Sequence, residues 1–387
     1  FRNVFRGAEQ LNVSVSGGFE TQVGGNTAQK LNSVSLTAEA KLTFPRFVVP
    51  FFDVNSTSAF IPKTNIALSY QTIKKGSFYL LNSFKTEYGY NWKENIYKEH
   101  VFNPVSVTYV LPPDTSKQIY KDNISQFPAL VTNLQKVFIA GANYTFTYNN
   151  QLDEKRRNNF YFSGSAETSG NLAALLIGKN SNGERQLFGA PLSQYYRFEA
   201  DVRDYFKITP TITWANRFVA GYGYAHGNST SLPFVRQFFA GGSNDIRAFP
   251  ARTVGPGVYQ APPNQLFGDQ GGDIKLMLNT ELRFKIVSVL NGAVFADAGN
   301  IWLRKEDPLR PGSGIIFSNI LNEIAVGAGA GLRVDARIFV IRFDLAFPLR
   351  IPYLPNGDKW VINKIDFGSK MWRRDNLILN IGIGYPF

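Results

Sequence analysis

Residues 273–284 read DIKLMLNTELRF, in which Ile274, Leu276, Leu278, Leu282 and Phe284 alternate with Asp273, Lys275, Asn279, Glu281 and Arg283. A period of two sends successive side chains to opposite faces of an extended strand, so one face is apolar and the other charged. The same alternation runs outward in both directions. Leu11, Val13 and Val15 alternate with Asn12, Ser14 and Ser16, and Val34, Leu36, Ala38, Ala40 and Leu42 with Ser35, Thr37, Glu39 and Lys41. Phe78, Leu80, Phe84, Tyr88 and Tyr90 share a parity, as do Phe198, Ala200 and Val202 against Glu199, Asp201 and Arg203. The chain closes with Leu377, Leu379, Ile381, Ile383, Tyr385 and Phe387 against Asn380, Gly382 and Gly384.

A soluble sandwich alternates as well, so length and punctuation decide. Most of these segments reach the roughly 9 to 11 residues a tilted strand needs to cross a bilayer, against about 5 to 6 in soluble sheets. Aromatic residues sit near strand ends, at Tyr90 and Trp92, Tyr222 and Tyr224, Trp302, and Tyr385 with Phe387, in the manner of the girdles of outer-membrane barrels. Short connections such as Lys207 to Pro210 and Asp335-Ala336 take turns with long ones: Leu111 to Asn133, Gly170 to Ser193, His226 to Gly272, Arg304 to Asn319 and Arg350 to Asp375. That is the asymmetry of periplasmic turns and extracellular loops. The expectation is an all-β chain, a transmembrane antiparallel β-barrel of about fourteen strands, centred on residues 9–20, 31–44, 62–73, 77–92, 98–111, 134–150, 157–169, 194–207, 211–225, 273–286, 289–302, 321–334, 336–347 and 376–387. An even count places both ends of the chain on the periplasmic side.

Composition narrows the function classes. Aromatics make up 14% and charged residues 18% of 387 residues, and 41 basic against 29 acidic side chains leave a net charge of +12. Such a surplus suits nucleic acid or an anionic membrane surface, and the absence of a basic helix or Lys/Arg run argues against nucleic acid. No stretch approaches the roughly 18 apolar residues of a spanning helix, and FRNVFRGAE lacks the apolar core of a signal peptide. With no cysteine there is neither a disulfide framework nor a thiolate site. His100 and His226 lie apart without neighbours at metal-ligand spacing, so no metal or other cofactor is expected. Ser163-Gly164-Ser165 lacks the nucleophile elbow and a base, and Gly327, Gly329 and Gly331 fall inside a strand, where they form no dinucleotide fingerprint. Nothing points to an enzyme. Asp53, Asp201, Arg203 and Asp204 read as lumen or turn charges. Arg46, Lys74, Lys75, Arg156, Arg157, Arg373 and Arg374 read as solvated strand ends, those on the outer side being able to attract lipopolysaccharide phosphates.

One connection stands out, the long loop 226–272. Within it FAGGSNDIRAFPARTVGPGVY, Phe239 to Tyr259, holds the pair Gly241-Gly242, the exit Gly255-Pro256-Gly257, and between them a cation flanked by apolar groups, Ile246-Arg247-Ala248-Phe249. Glycine pairs permit reversals at positive φ. The loop by itself reads equally well as a solvated surface excursion.

Four stretches resemble the barrel of the BamA/TamA-type outer-membrane protein assembly superfamily, a surface-antigen barrel, and within it the TamL branch. GGSNDIRAF resembles that family's sixth extracellular loop, whose tip folds back into the lumen; its arginine falls on Arg247 and its aromatic on Phe249, while Ala248 stands where the family has glycine. NTELRF places the acidic residue of the following strand on Glu281. VFADAGNIW places a Phe-x-Asp-x-Gly pattern on Phe295, Asp297 and Gly299. RNVFRGAE resembles the turn between the family's second and third strands. The resemblance implies the last fourteen strands of a sixteen-strand barrel domain over 1–387, with two strands and periplasmic POTRA domains upstream. By parity Glu281 and Asp297 face the lumen, where Gly327, Gly329 and Gly331 clear space for a loop, and Arg247 is expected to pair with Asp297 and Glu281; on strand periodicity alone both carboxylates are ordinary lumen charges.

The resemblance further implies an integral protein of a Gram-negative outer membrane that inserts β-barrel clients through a weak seam. Its partners would be nascent outer-membrane β-barrel proteins, the bilayer with its lipopolysaccharide, and accessory assembly subunits. The seam strand would present Leu377, Leu379, Ile381, Gly382, Gly384 and Phe387, with Pro386 unable to donate to a ladder. A terminal aromatic such as Phe387 equally marks any outer-membrane barrel as a client. A polypeptide transporter of the two-partner secretion type and a passive porin remain as rivals.

Overall fold

In a computed structural model of the chain, the described residues are 7–20, 23–24, 33–50, 59–75, 79–111, 135–153, 155–261, 270–335 and 340–387. Most of the N-terminal RNVFRGAE stretch, Asp53, Phe78, and the connection after Leu111 lie outside them, as do residues 262–269 of the long loop.

Among the described residues fourteen long strands form one antiparallel meander in which each hydrogen-bonds its neighbours in sequence. They are β1 (Gln10–Glu20), β2 (Ser33–Phe44), β3 (Lys63–Lys75), β4 (Tyr79–Lys93), β5 (Lys98–Leu111), β6 (Val137–Asn149) and β7 (Asn158–Ser169), followed by β8 (Tyr195–Thr209), β9 (Ile212–Ala225), β10 (Ile274–Val287), β11 (Leu290–Trp302), β12 (Ala325–Asp335), β13 (Val340–Arg350) and β14 (Ile378–Ile383). Among the described residues three short helices, α1 (Ala173–Leu176), α2 (Ile320–Glu323) and α3 (Lys370–Asn376), sit in the long connections. All the strands but β14 have 11 to 15 residues, and among the described residues no helix is long and apolar enough to cross a membrane. The chain is an all-β transmembrane barrel.

Alternation sets the two faces. Leu278, Val294, Leu332, Phe343 and Leu345 are exposed on the outside of the wall, while Asn279, Glu281, Asp297, Arg333 and Asp344 are buried on the inside. This inverts the soluble rule, with hydrocarbon as the outer solvent and polar groups turned toward the lumen. Connections after β7, β9, β11 and β13 are long; those after β8 and β10 are two-residue turns, the β-hairpin minimum. The long ones mark the extracellular end.

Several sequence expectations are corrected at strand ends. The twelfth strand begins at Ala325 rather than 321, because Ile320–Glu323 close a helical turn. The thirteenth runs to Arg350, beyond 347. Trp302 is no girdle residue: it is fully buried, and its indole N–H donates to Glu323 Oε2 at 2.6 Å. The final strand is shorter than 376–387. Leu377 caps α3, and Gly384, at φ +86°, ends the alternation in a backbone region that side chains resist. Phe387 consequently turns inward, buried, with its carbonyl 3.1 Å from Arg283 Nη2, instead of following Ile381 and Ile383 toward lipid.

Candidate functional site

The loop between β9 and β10 occupies the interior. Phe234 packs with Leu81 of β4 and Val110 of β5. Arg236 pairs with Glu167 of β7 at 2.8 Å, and farther along the loop the backbone carbonyl of Arg247 accepts from Asn380 Nδ2 of β14 at 2.9 Å. One connection reaches walls from β4 to β14 only if the sheet curls around it.

Local chemistry shapes the tip. Gly241 and Gly242 take φ of +98° and +106°, and the Gly242 N–H donates to Phe249 O at 3.0 Å, drawing the loop into a narrow neck. Within it Phe249 N–H donates to Ile246 O at 3.1 Å, closing a four-residue turn with Arg247 and Ala248 at its centre. Ala248 is not among the residues at positive φ, so this turn has no need of the glycine found in the resembling family. Its methyl rests against Gly327, where an added Cβ would collide with it. Gly327 clears room for the tip itself; Gly329 clears room for the Phe295 ring, and Gly331 for the Arg333 and Asp344 head groups. Gly299 lies against Ile246 and the β10 backbone. Phe249 is half-buried and packs against the Ala248, Phe295 and Ala346 cluster.

Arg247 is 0% exposed. Its guanidinium is held as a fork: Nε donates to Asp297 Oδ2 and Nη2 to Asp297 Oδ1, both at 2.8 Å, while Nη1 donates to Glu281 Oε2 at 2.6 Å. The Arg247 backbone N–H adds a 3.1 Å bond to Asp297. The Phe295 ring lies 3.4 Å from the guanidinium carbon, offering its negative face to the cation. Such bidentate, charge-assisted geometry is where arginine outperforms lysine.

The structure also joins to the site residues that the sequence reading left out of it: Arg333, Arg342 and Asp344, together with Lys275, Asn279 and Arg283 of the polar face of β10. Asp344 Oδ2 lies 3.5 Å from Arg247 Nη1, Arg333 bridges Asp344 and Glu281 Oε1 (3.1 Å to the latter), and Arg283 Nε donates to Glu281 Oε1 at 2.9 Å. Arg342 lies 3.3 Å from Asp344 and donates to Asn244 of the loop at 2.8 Å. Asn279 binds Asp297 Oδ1 and the Asp245 carbonyl at 2.8 and 2.7 Å, and Lys275 holds Asp245. Arg333 was legible: it continues the inward parity of Gly327, Gly329 and Gly331. Asp344 needed the register, which sets it opposite Gly331.

The remaining seam residues are scattered. Leu379, Ile381 and Ile383 point outward, Asn380 and Gly382 inward, and a Cβ on Gly382 would meet the Arg342 guanidinium. On the other edge of β14, Ile378 and Leu379 pair with Gly24 and Val23 of a two-residue strand that follows β1. Among the described residues Asn380 to Ile383 have no ladder partner on that edge.

The Omp85 superfamily domain matches residues 3–369. The outer membrane protein assembly factor BamA of Neisseria meningitidis serogroup B is 27% identical over 187 residues, 44% of this chain and 23% of that protein, so the match spans less than a quarter of the relative. Among solved structures, BamA from Haemophilus ducreyi lacking POTRA domains 1–3 aligns at a TM-score of 0.56 and 14% identity, covering 96% of this chain and 70% of that one. CdiB from Escherichia coli aligns at 0.46 and 11%, covering 89% and 64%. The chain belongs to the Omp85 superfamily and is an integral β-barrel of the outer membrane.

Proposed function

We propose that this chain is the barrel domain of an outer-membrane protein assembly factor, which folds β-barrel clients by lending them the edge of β14. The observation that carries this reading is the loop fastened inside the barrel, where Arg247 is locked to Asp297 and Glu281. Among the described residues the edge of β14 away from β13 carries the pairs Ile378–Gly24 and Leu379–Val23, and it is on this edge that the strands proposed upstream, or a client strand, would add. A strand entering hydrocarbon with unpaired amides costs several kcal/mol per group, so an available edge is the natural entry point, and addition of a client strand there removes the cost. The loop bears on the same strand through the bond from Asn380 to the Arg247 carbonyl, so the buried ion cluster and the seam are mechanically one unit. The clients would be nascent outer-membrane barrels; POTRA domains and two further strands upstream, and accessory subunits, belong to the same proposal.

The test uses the lack of native cysteine. Ile381→Cys, reconstituted with a client carrying a cysteine in its terminal strand, is expected to give a disulfide adduct during folding. A Val23→Cys/Leu379→Cys pair, once oxidised, is expected to stop client folding, and reduction to restore it. If no adduct forms and the locked seam folds clients at the unlocked rate, the proposal fails; a polypeptide transporter or passive porin would behave that way.

A further inference from the structure

The connection between β13 and β14, residues 351–377, does not follow the long loop into the lumen. Phe347 belongs to the outward row of β13 with Phe343 and Leu345. Phe367 packs edge-on against Phe347 with centroids 5.3 Å apart, Trp372 of α3 lies 6.3 Å from Phe347, and Phe367 and Trp372 meet at 5.0 Å. The connection therefore bends over the rim and sets α3 against the lipid-facing wall at the extracellular end. Ser369 starts the helix, its hydroxyl accepting from Trp372 N–H at 3.3 Å, and the Leu377 N–H closes it on Arg373 O at 3.0 Å. α3 also lies against the two-residue strand Val23–Gly24, so it bridges the top of the seam.

Exposed apolar and basic side chains share this foot. Ile362, Phe367 and Met371 are 53%, 52% and 68% exposed. Lys370 is exposed and takes part in no ion pair among the described residues, Arg373 caps the Phe367 and Gly368 carbonyls, and Arg374 sits beside Asp375 at 2.8 Å. Aromatic and apolar groups at the bilayer rim with lysine and arginine at headgroup depth are the composition of an interfacial anchor. We infer that residues 360–374 form a binding foot for phosphorylated lipid of the outer leaflet, the lipid A class, with Phe367 and Trp372 seated among acyl chains and Lys370 and Arg374 on the lipid phosphates. Because the foot spans α3 and the two-residue strand, a bound lipid steadies the extracellular end of the seam.

This inference rests on membrane placement alone; a chain that binds lipid here yet folds no client refutes only the assembly proposal. The experiment is amide hydrogen exchange over residues 360–377 of the whole chain in phosphatidylcholine nanodiscs. Adding bisphosphorylated lipid A is expected to slow exchange about fivefold or more, and Lys370→Glu/Arg374→Glu to abolish the slowing while heat-modifiable mobility shows an intact barrel. Should that variant fail to fold, Lys370→Gln/Arg374→Gln replaces it with the same expectation. Equal slowing by dephosphorylated lipid A, equal slowing by inorganic phosphate in buffer, or a variant that responds like the parent would each overturn the inference.

Discussion

The two halves of the wall share one alternation and differ in what their inner faces carry. Along β10 to β14 the inner face holds glycines and ionised side chains packed against the loop, and five of these, Glu281, Asp297, Arg333, Arg342 and Asp344, are at most 1% exposed. Along β2 to β7 it holds Ser, Thr, Gln and half-exposed ion pairs, and the loop leaves cavities of about 340 and 500 Å³ lined by Ser83, Lys85, Thr108 and Arg236 among others. The loop is thus locked into a buried charge cluster on one side and held on the other by apolar packing of Phe234 and the partly exposed pair Arg236–Glu167. Charges count for more where water is excluded, and the same ion pair is worth little where water reaches it.

Arg247→Ala attacks the fastened side and carries the largest expected effect. Glu281 keeps Arg283 and Arg333, so its charge stays compensated; Asp297 loses its cation and keeps two neutral donors, the Asn279 amide and the backbone N–H of residue 247. An orphaned buried charge costs about 3 to 5 kcal/mol. The loop is expected to leave the wall, seen as tryptic cleavage near Arg252, and client folding in proteoliposomes to fall about tenfold or more. Arg247→Lys keeps the charge and loses the fork, so an intermediate loss separates geometry from charge. An alanine variant with parental cleavage and activity would show that the fastening is dispensable.

Gly327→Val presses on the same interface without touching a charge. Its side chain would occupy the place of the Ala248 methyl, and overpacking of this kind costs about 1 to 3 kcal/mol. Expected is partial loop release, with Gly327→Val/Ala248→Gly recovering part of it. No recovery would mean that the strand itself, rather than the tip, suffers from the substitution.

How much of this the sequence held depends on the range of the signal. Strand number and face follow from nearest-neighbour alternation, which is why the fourteen segments and the inward direction of Glu281 and Asp297 were readable from residues such as Leu278 and Asn279. Strand ends were less so, because a helical turn at Ile320–Glu323 and a left-handed Gly384 are set by contacts absent from the alternation. The charge cluster was half readable. Arg333 shares the glycine parity, but Asp344 and Arg342 join it only through the pairing of Gly331 with Asp344 and of Arg333 with Arg342, a register that no single strand announces. Trp302 misled because an aromatic at a strand end looks the same whether it faces lipid or, as here, donates to Glu323 inside.

The smallest effect is expected on the loosely held side, and it sharpens the contrast most. Lys85 and Glu87 pair at 2.8 Å on β4, with side chains 37% and 22% exposed beside the 500 Å³ cavity. Lys85→Ala removes a cation from a carboxylate that keeps a hydrogen bond from Ser106 and the water of the cavity, so the loss is about 0 to 1 kcal/mol and fades with salt. Arg333→Ala, the same kind of deletion on the opposite wall, strips Asp344 of its closest cation and is expected to cost several times more, with little relief from salt. Thermal melting of both variants at low and high ionic strength measures the pair of effects side by side. Equal shifts would mean that water reaches both walls alike, and the loop would then be held by packing of Ile246 and Phe295 rather than by its charges.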